Sequence, residues 1–442
     1  MIKLPEQVNK AICLLKNSGF EAYAVGGAVR DCLLGKVPFD WDITTSARPE
    51  ETEKVFCCER IIETGIKHGT VTVIIDGMPL EITTYRIDGD YTDHRHPQTV
   101  SFSDNLRDDL SRRDFTINTL CCNCDDKIID VFGGKDDLNN KIIRCVGDPD
   151  TRFSEDALRI MRAVRFSAEL GFTIEKSTSD SILKNRQLLS DVSKERLQVE
   201  FTKLITGKYA TDVIRKYHAV IEVFIPELAP LAECEQHTKY HKYDVFEHTL
   251  HAVDAIDFND RILRLTMFFH DFGKPDAKTT DENGTSHFKG HAVISEKKTR
   301  NILKRLKFDN NTINEVSKLV LIHDMKSPRD KIQAKKMMCS LGDEAYLNLI
   351  KIKRADNMAK ADPHAIDEKL KNMRSFYEEI KINNECYNLK SLAVNGDDIK
   401  AFGIAEGKEI KSSLDFLLNG VIEGKCQNRK DVLLEYLKEN TK

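Results

Sequence analysis

The sequence predicts an α+β head followed by a long all-helical body, and three observations carry that prediction. Roughly the first 145 residues mix short β-rich runs with helical stretches. The runs Glu21–Val25, Thr70–Ile75, Pro79–Tyr85 and Lys127–Val131 are separated by Gly, Asp and Pro, the residues that turn a chain. From Arg152 onward the rhythm changes: Ala157, Met161, Val164 and Ala168 recur at helical spacing, and strand-like alternation hardly returns. Boundaries near Gly147, His237 and Asp362 divide the chain into segments 1–146, 147–236, 237–361 and 362–442, with no internal repeat or low-complexity stretch.

Composition narrows the class. At 442 residues, 40% hydrophobic and 31% charged, the chain has apolar material for several cores. No basic-plus-apolar leader pattern and no uninterrupted apolar run of membrane-spanning length stands out, so a cytoplasmic protein with no membrane partner is expected. The 12 cysteines are scattered apart from Cys121, Cys122 and Cys124, and no second pair follows at zinc-finger separation. That cluster reads as a buried strand of a reduced protein. Net charge is −4, which excludes a whole-molecule electrostatic argument for nucleic acid. Between Arg300 and Arg354, however, 13 Lys/Arg stand against 6 Asp/Glu, a balance that suits either a phosphate-binding track or solvated helix faces.

The first chemical constellation lies in residues 23–45. Gly26 and Gly27 follow a short apolar run and precede a helical stretch bearing Arg30. Backbone N–H groups at such a turn suit a triphosphate. Asp40 and Asp42, two residues apart, converge on one face if the segment is a strand. Each carboxylate then raises the cost of ionising the other unless a cation sits between them, and Mg²⁺ takes such hard oxygen ligands.

Gly26-Gly27-Ala28-Val29-Arg30-Asp31 with Asp40-Trp41-Asp42 resembles the signature of class II tRNA nucleotidyltransferases and bacterial poly(A) polymerases, members of the polymerase-β-like nucleotidyltransferase superfamily. The resemblance continues through Arg112-Arg113-Asp114-Phe115-Thr116-Ile117-Asn118, Gly147-Asp148-Pro149, Phe153-x-Glu155-Asp156-Ala157-Leu158-Arg159 and Glu195-Arg196. Motifs in this order over about 200 residues are specific. The resemblance implies a polymerase-β-like head whose Asp40 and Asp42 are catalytic and hold two Mg²⁺ ions, one activating the tRNA 3′-hydroxyl and one neutralising the departing pyrophosphate. Glu81, in Leu80-Glu81-Ile82-Thr83, is the candidate third carboxylate.

The segment Glu155–Arg165, read as one helix, puts Asp156, Arg159 and Arg162 on one face, with Arg165 continuing the stripe. A carboxylate beside a guanidinium offers an acceptor beside a donor. Cytosine and adenine both present an amino group beside an acceptor nitrogen, whereas guanine and uracil reverse that order. The resemblance gives Asp156 and Arg159 this base-template role with CTP and ATP. It puts Asp114 on the ribose, Arg113, Arg162 and Arg165 near phosphates or base, and Gly26, Gly27, Arg30 and Asn118 in the nucleotide site. Tyr91–Pro97 through Arg107 looks like the family's flexible loop, which is shortened in CC-only enzymes and full-length here.

A second constellation comprises His248, His270-Asp271, His291, His323 and Asp356. It resembles an HD-type phosphohydrolase domain, in which His248, His270, Asp271 and Asp356 bind a divalent metal, either a transition metal or Mg²⁺. Val394–Asp398 and Gly403–Gly407 resemble the tRNA-binding tail of bacterial CCA-adding enzymes, and the glycines suit either phosphate contacts or helix capping. The resemblance thus implies CCA addition to tRNA or its repair. Poly(A) or A-only addition by the same fold is one alternative, and HD phosphohydrolysis as the main activity is another.

Overall fold

The computed structural model describes residues 3–63, 65–66, 69–89, 99–125, 127–238, 242–404 and 407–440. The expected loop over Tyr91–Pro97 lies outside the described residues. Two compact units emerge: residues 1–229 with 305–307, and residues 230–304 with 308–442. The division at Ala229–Pro230 falls a few residues before the boundary expected near His237.

The first unit opens on a seven-stranded mixed sheet. Its strands lie in the order Arg60–Ile62, Thr70–Ile75, Met78–Thr84, Asp42–Thr45, Ala22–Val25, Cys121–Cys122 and Ile128–Ile129. The expected β-rich runs are all present, each within a few residues. Thr-Val-Thr-Val-Ile-Ile buries Val71, Val73 and Ile75 on one face, the period-2 pattern of a half-buried strand. Cys121 and Cys122 form a short strand with both side chains fully buried, as expected, while Cys124 lies in the turn beyond. The helix Glu6–Asn17 packs on strand Ala22–Val25 through Val8, Ala11, Ile12 and Leu15, spaced i, i+3, i+4, i+7.

Register then positions the chemistry. Ala22–Val25 runs antiparallel to Asp42–Thr45, with Val25 opposite Asp42. Asp42–Thr45 runs parallel to Met78–Thr84, with Asp42 opposite Glu81. Beyond the sheet, the helix Leu158–Leu170 is buried on nearly every side and packs against helices Lys194–Ile205 and Ala210–Ile221.

Among its described residues the second unit is built of helices apart from a two-residue strand pair, Thr279–Thr280 with Ser286–His287. Helices Val245–Asp254, Arg261–Phe269, Asn310–Ile322 and Asp343–Met358 pack against one another. A separate C-terminal cluster gathers Ile399, Leu417, Leu418, Ile422, Leu433 and Leu437. There Asn395 caps the helix Gly396–Ala401 through its side chain.

One glycine fixes a close approach inside the head. A Cβ on Gly134, at the start of helix Gly134–Asn139, would stand 2.2 Å from the Thr116 carbonyl oxygen. The neighbouring Thr116 hydroxyl donates to buried Asp137 at 2.6 Å, so that backbone has little room to retreat. Gly134→Ala is expected to destabilise the head by about 1–3 kcal/mol. Urea unfolding of the two proteins, compared at equal m-value, measures it.

Candidate active site and histidine cluster

The head site forms where the sheet carries Asp42. This carboxyl is pushed up to about 6, chiefly because it is buried; Arg113 opposes the rise, while Glu81 and Asp40 add to it by repulsion. Three carboxylates therefore crowd one end of the sheet against one nearby guanidinium. Glu81, the candidate third carboxylate, stands directly beside Asp42 through the strand register. Asp40 is exposed and precedes the strand, which begins at Asp42, so the two aspartates converge from a loop and a strand end rather than from alternate positions of one strand.

Gly26 lines the same site with φ +82°, and a Cβ there would meet Arg113 Nη1 at 3.2 Å and Asp42 Oδ2 at 3.7 Å. Its own N–H donates to the Leu120 carbonyl at 3.3 Å, so the amides left for a phosphate are those of Gly27 and the residues after it. Gly27 opens the short helix Gly27–Leu33. Arg30 is buried; it donates to Asn118 Oδ1 at 2.7 Å and lies over the Phe166 ring, which makes it a strut joining three motifs.

Arg113 is aimed by a residue that sequence reasoning passed over. Asp109 is fully buried and accepts from Thr44 Oγ1 on the Asp42–Thr45 strand at 2.9 Å. It also accepts from Arg112 at 2.6 Å and faces Arg113 at 3.5 Å. Burial alone would raise its pKa, but the two arginines hold it below the usual carboxylate range. The i, i+3 and i+4 spacing of Asp109, Arg112 and Arg113 was the available signal.

Asp114 is held just as firmly. Its Oδ1 accepts from the Phe115 amide and Asn118, and its Oδ2 accepts from Arg162 at 2.6 and 2.8 Å. Burial works against ionisation, yet Arg162 and Asn118 bring the carboxyl down to about 2.

The expected single helix over Glu155–Arg165 is broken. One helix ends at Glu155, Asp156 is extended at φ −133°, and the next helix begins at Leu158. The Asp156 side chain turns back to accept from the Leu158 amide, a local bond that competes with helix continuation. Asp156 and Arg159 consequently do not share a helical stripe, and they pair with other residues. Asp156 accepts from Arg196 at 2.8 Å. Arg159 donates to Glu155 at 2.5 Å and to the carbonyls of Arg152 and Arg112. Arg165 is buried, paired with Glu200 at 2.8 Å and stacked 3.9 Å over Phe166.

In the second unit all six expected residues meet. His248 and Asp356 come from helices Val245–Asp254 and Asp343–Met358. His270 and His323 end helices Arg261–Phe269 and Asn310–Ile322, and His291 opens helix His291–Arg305. Each imidazole is anchored at Nδ1 by a backbone carbonyl: Ala359 for His248, Met267 for His270, Phe288 for His291 and Val320 for His323. The four Nε2 atoms are thereby turned inward.

Two groups result, and Asp271 belongs to both. Its Oδ2 lies 3.4 Å from His248 and 3.1 Å from His270, and its Oδ1 lies 3.4 Å from His291 and 3.7 Å from His323. Asp356 Oδ1 stands 3.0 Å from His248. Burial depresses the pKa of His248 and takes that of His323 to about 3. Against their burial, Asp271 and Asp356 are held well below the carboxylate range, Asp271 by His270 and Lys274, Asp356 by Lys360 and His248. A neutral imidazole that donates through Nδ1 presents a lone pair at Nε2. Lone pairs facing carboxylates and one another at these distances fit a shared cation. Among the described residues, His248–His270–Asp271 and Asp271–His291–His323 each bring three ligand atoms within 4.8 Å of one another.

The Asp114–Arg162 pair yields a pH-dependent expectation. Because the folded pKa is depressed, its stabilisation is present above the unfolded value of about 3.9 and is lost as pH falls through about 2. Asp114→Asn should lose about 2–3 kcal/mol of stability at pH 7, consistent with a shift of nearly two units. Thermal melts of the two proteins should differ fully from pH 5 to 7 and converge in strong acid.

Comparison with known proteins follows this geometry. A family model described as "Poly A polymerase head domain" matches residues 22–144. One described as "Probable RNA and SrmB- binding site of polymerase A" matches 171–231, and "tRNA nucleotidyltransferase domain 2 putative" matches 279–437. The chain is 33% identical to the CCA-adding enzyme of Geobacillus kaustophilus over 442 residues, covering 99% of this chain and 97% of that one. It is 33% identical to the CCA-adding enzyme of Bacillus subtilis over 426 residues, covering 96% of each. The structure of the Bacillus stearothermophilus CCA-adding enzyme in complex with CTP superposes with a TM-score of 0.72 at 30% identity, covering 98% of this chain and 96% of that one. No described helix is long and apolar enough to cross a membrane. A nucleotidyltransferase head with its carboxylates in register, joined to a helical body and similar to these enzymes along nearly its whole length, identifies the chain as a member of the CCA-adding enzyme family.

Proposed function

We propose that the chain builds or repairs the 3′-terminal CCA of tRNA from CTP and ATP, releasing pyrophosphate, in the cytoplasm. The observation that carries this reading is the register of Asp42 against Glu81, with Asp40 and Arg113 beside them. Segment 1–146 serves as the catalytic head and 147–236 as the base-reading neck. Segment 237–361 serves as the HD-type domain and 362–442 as the tRNA-binding tail.

The donor set fits a hard divalent cation: carboxylate oxygens only, with the pKa of Asp42 raised chiefly by burial and further by Glu81 and Asp40. Mg²⁺ bound there supplies the positive charge that activates a 3′-hydroxyl and neutralises a triphosphate. The chain's own groups do the remaining work. Asp40, Asp42 and Glu81 hold the metal. Arg113, kept in place by Asp109, faces the triphosphate as the 3′-oxygen bonds to the α-phosphorus and the bond to pyrophosphate breaks. Asp114, fixed by Arg162 and Asn118, orients the ribose.

Base choice falls to Asp156 and Arg159, which exchange Arg196 and Glu155 for the base edge. Asp156 accepts from the amino group, and Arg159 donates to the ring nitrogen. Guanine or uracil leaves both groups mismatched, at about 1–3 kcal/mol for each. Exchanging the polarity of Asp156 and Arg159 should shift preference toward UTP or GTP, and unchanged specificity in the double variant would remove the template role.

The function is tested by single-nucleotide extension of tRNA ending in the discriminator base, in C and in CC, with each of the four nucleotides and Mg²⁺. Two C additions and one terminal A are expected, with incorporation abolished in Asp42→Ala. Addition of A alone, or an extended A tail, would favour an A-adding enzyme or a poly(A) polymerase instead.

The convergence of four Nε2 atoms on Asp271 favours a second reading beside the first, an HD-type phosphohydrolase centre. Imidazole with carboxylate suits a transition metal, with Mg²⁺ a weaker candidate. Elemental analysis should find bound metal that is lost in His270→Ala, and 2′,3′-cAMP should be hydrolysed. No bound metal, together with no hydrolysis under any divalent ion, removes this reading.

A further inference from the structure

Between the Gly-Gly turn and Asp42 the chain does something costly. Val37 is 95% exposed and Phe39 is fully exposed, in the loop that leads directly to Asp40. Large apolar side chains held in water beside a polar site mark contact surfaces. Here they border a cavity of about 540 Å³ lined by Pro5, Val37, Pro38, Phe39, Trp41 and Pro79. Lys3 and Lys36, both exposed, also line it, as does Asp40. The cavity thus shares Asp40 with the catalytic end of the sheet, but none of Gly26, Arg113, Asp114 or Arg162 lines it.

That division separates two needs of the reaction. The triphosphate requires cations and amides, which lie on the Gly26–Arg113 flank of Asp42. The attacking hydroxyl arrives on the ribose of the last nucleotide of the acceptor, so the base of that nucleotide must rest on a surface adjoining the carboxylates. A base offers a flat π-face, which aromatic side chains bind whatever its identity. An acceptor surface must show this tolerance, because its terminal base changes from the discriminator to C as the end grows.

We propose that this apolar bowl is the binding subsite for the 3′-terminal base of the acceptor RNA, with Phe39 as its stacking platform. Lys3 and Lys36 meet the phosphates that precede that base. The inference rests on the proposed use of tRNA as acceptor.

The single tryptophan of the chain, Trp41, lines the bowl and is a built-in reporter. Titrating the full chain with tRNA ending in CC should change Trp41 emission, whereas CTP or ATP alone should not. Phe39→Ala should raise the KM for tRNA about tenfold, leave the KM for ATP unchanged and leave the melting temperature unaltered, because the ring is fully exposed in the free protein. Phe39→Tyr should restore the wild-type tRNA KM. A raised KM for ATP instead of tRNA would overturn the proposal, and so would Phe39→Ala kinetics equal to wild type or an emission change with nucleotide alone. Failure of the wild-type chain to extend tRNA would strike the proposed function, while the emission titration would still read the subsite independently.

Discussion

The register of two parallel strands is the constraint on which the head depends. Asp42 is opposite Glu81 and, on its other side, opposite Val25. Side chains on a strand alternate faces, so a slip of one residue would carry the carboxylate into the core and expose its apolar neighbours. Ile43, Leu80 and Ile82 are essentially fully buried, and they oppose that slip. The hydrophobic pattern of the sheet therefore specifies where the negative charge gathers, before any substrate arrives.

Around that strand the head uses buried ions as struts. Asp109 joins Thr44 to Arg112 and Arg113, and Asp114 joins Phe115 and Asn118 to Arg162. Taking such charges out of water is costly, so they contribute more to a unique geometry than to net stability. Their partners come from separate stretches of chain, so the Asp42–Thr45 strand, the Arg112–Asp114 turn and the Leu158–Leu170 helix are held in fixed relation. Asp156 and Arg159 differ: Asp156 pairs with Arg196 and Arg159 with Glu155, so the two do not fix each other.

The histidine cluster in the second unit achieves fixed geometry by another route. For His270 and His323, backbone carbonyls at helix ends take the Nδ1 protons, so ring orientation follows from where the helices stop, while His291 uses the Phe288 carbonyl just ahead of its helix. Helix termini leave carbonyl groups without intrahelical partners, and His270 and His323 use those of Met267 and Val320. Gly273 permits the close packing behind Asp271, since a Cβ there would stand 2.4 Å from the His291 carbonyl oxygen.

Much of this protein was legible in the sequence. The β-rich runs, the buried Cys121–Cys122 strand and the Gly-Gly turn before a helix follow from local periodicity and residue chemistry, which act over a few positions, while the six residues of the histidine cluster were named through the resemblance to an HD-type domain. Tertiary structure decided the rest. A helical rhythm runs through Glu155–Arg165, yet the side chain of Asp156 accepts from the Leu158 amide and takes Arg196, forty residues away, as its partner. Glu81 could be named from sequence, but its place beside Asp42 depends on strand pairing, and Asp109 shows its role only once Thr44 lies over it. Local patterns report which face is apolar; which distant groups meet is set by packing and register, because desolvated charges must find partners wherever the fold brings them.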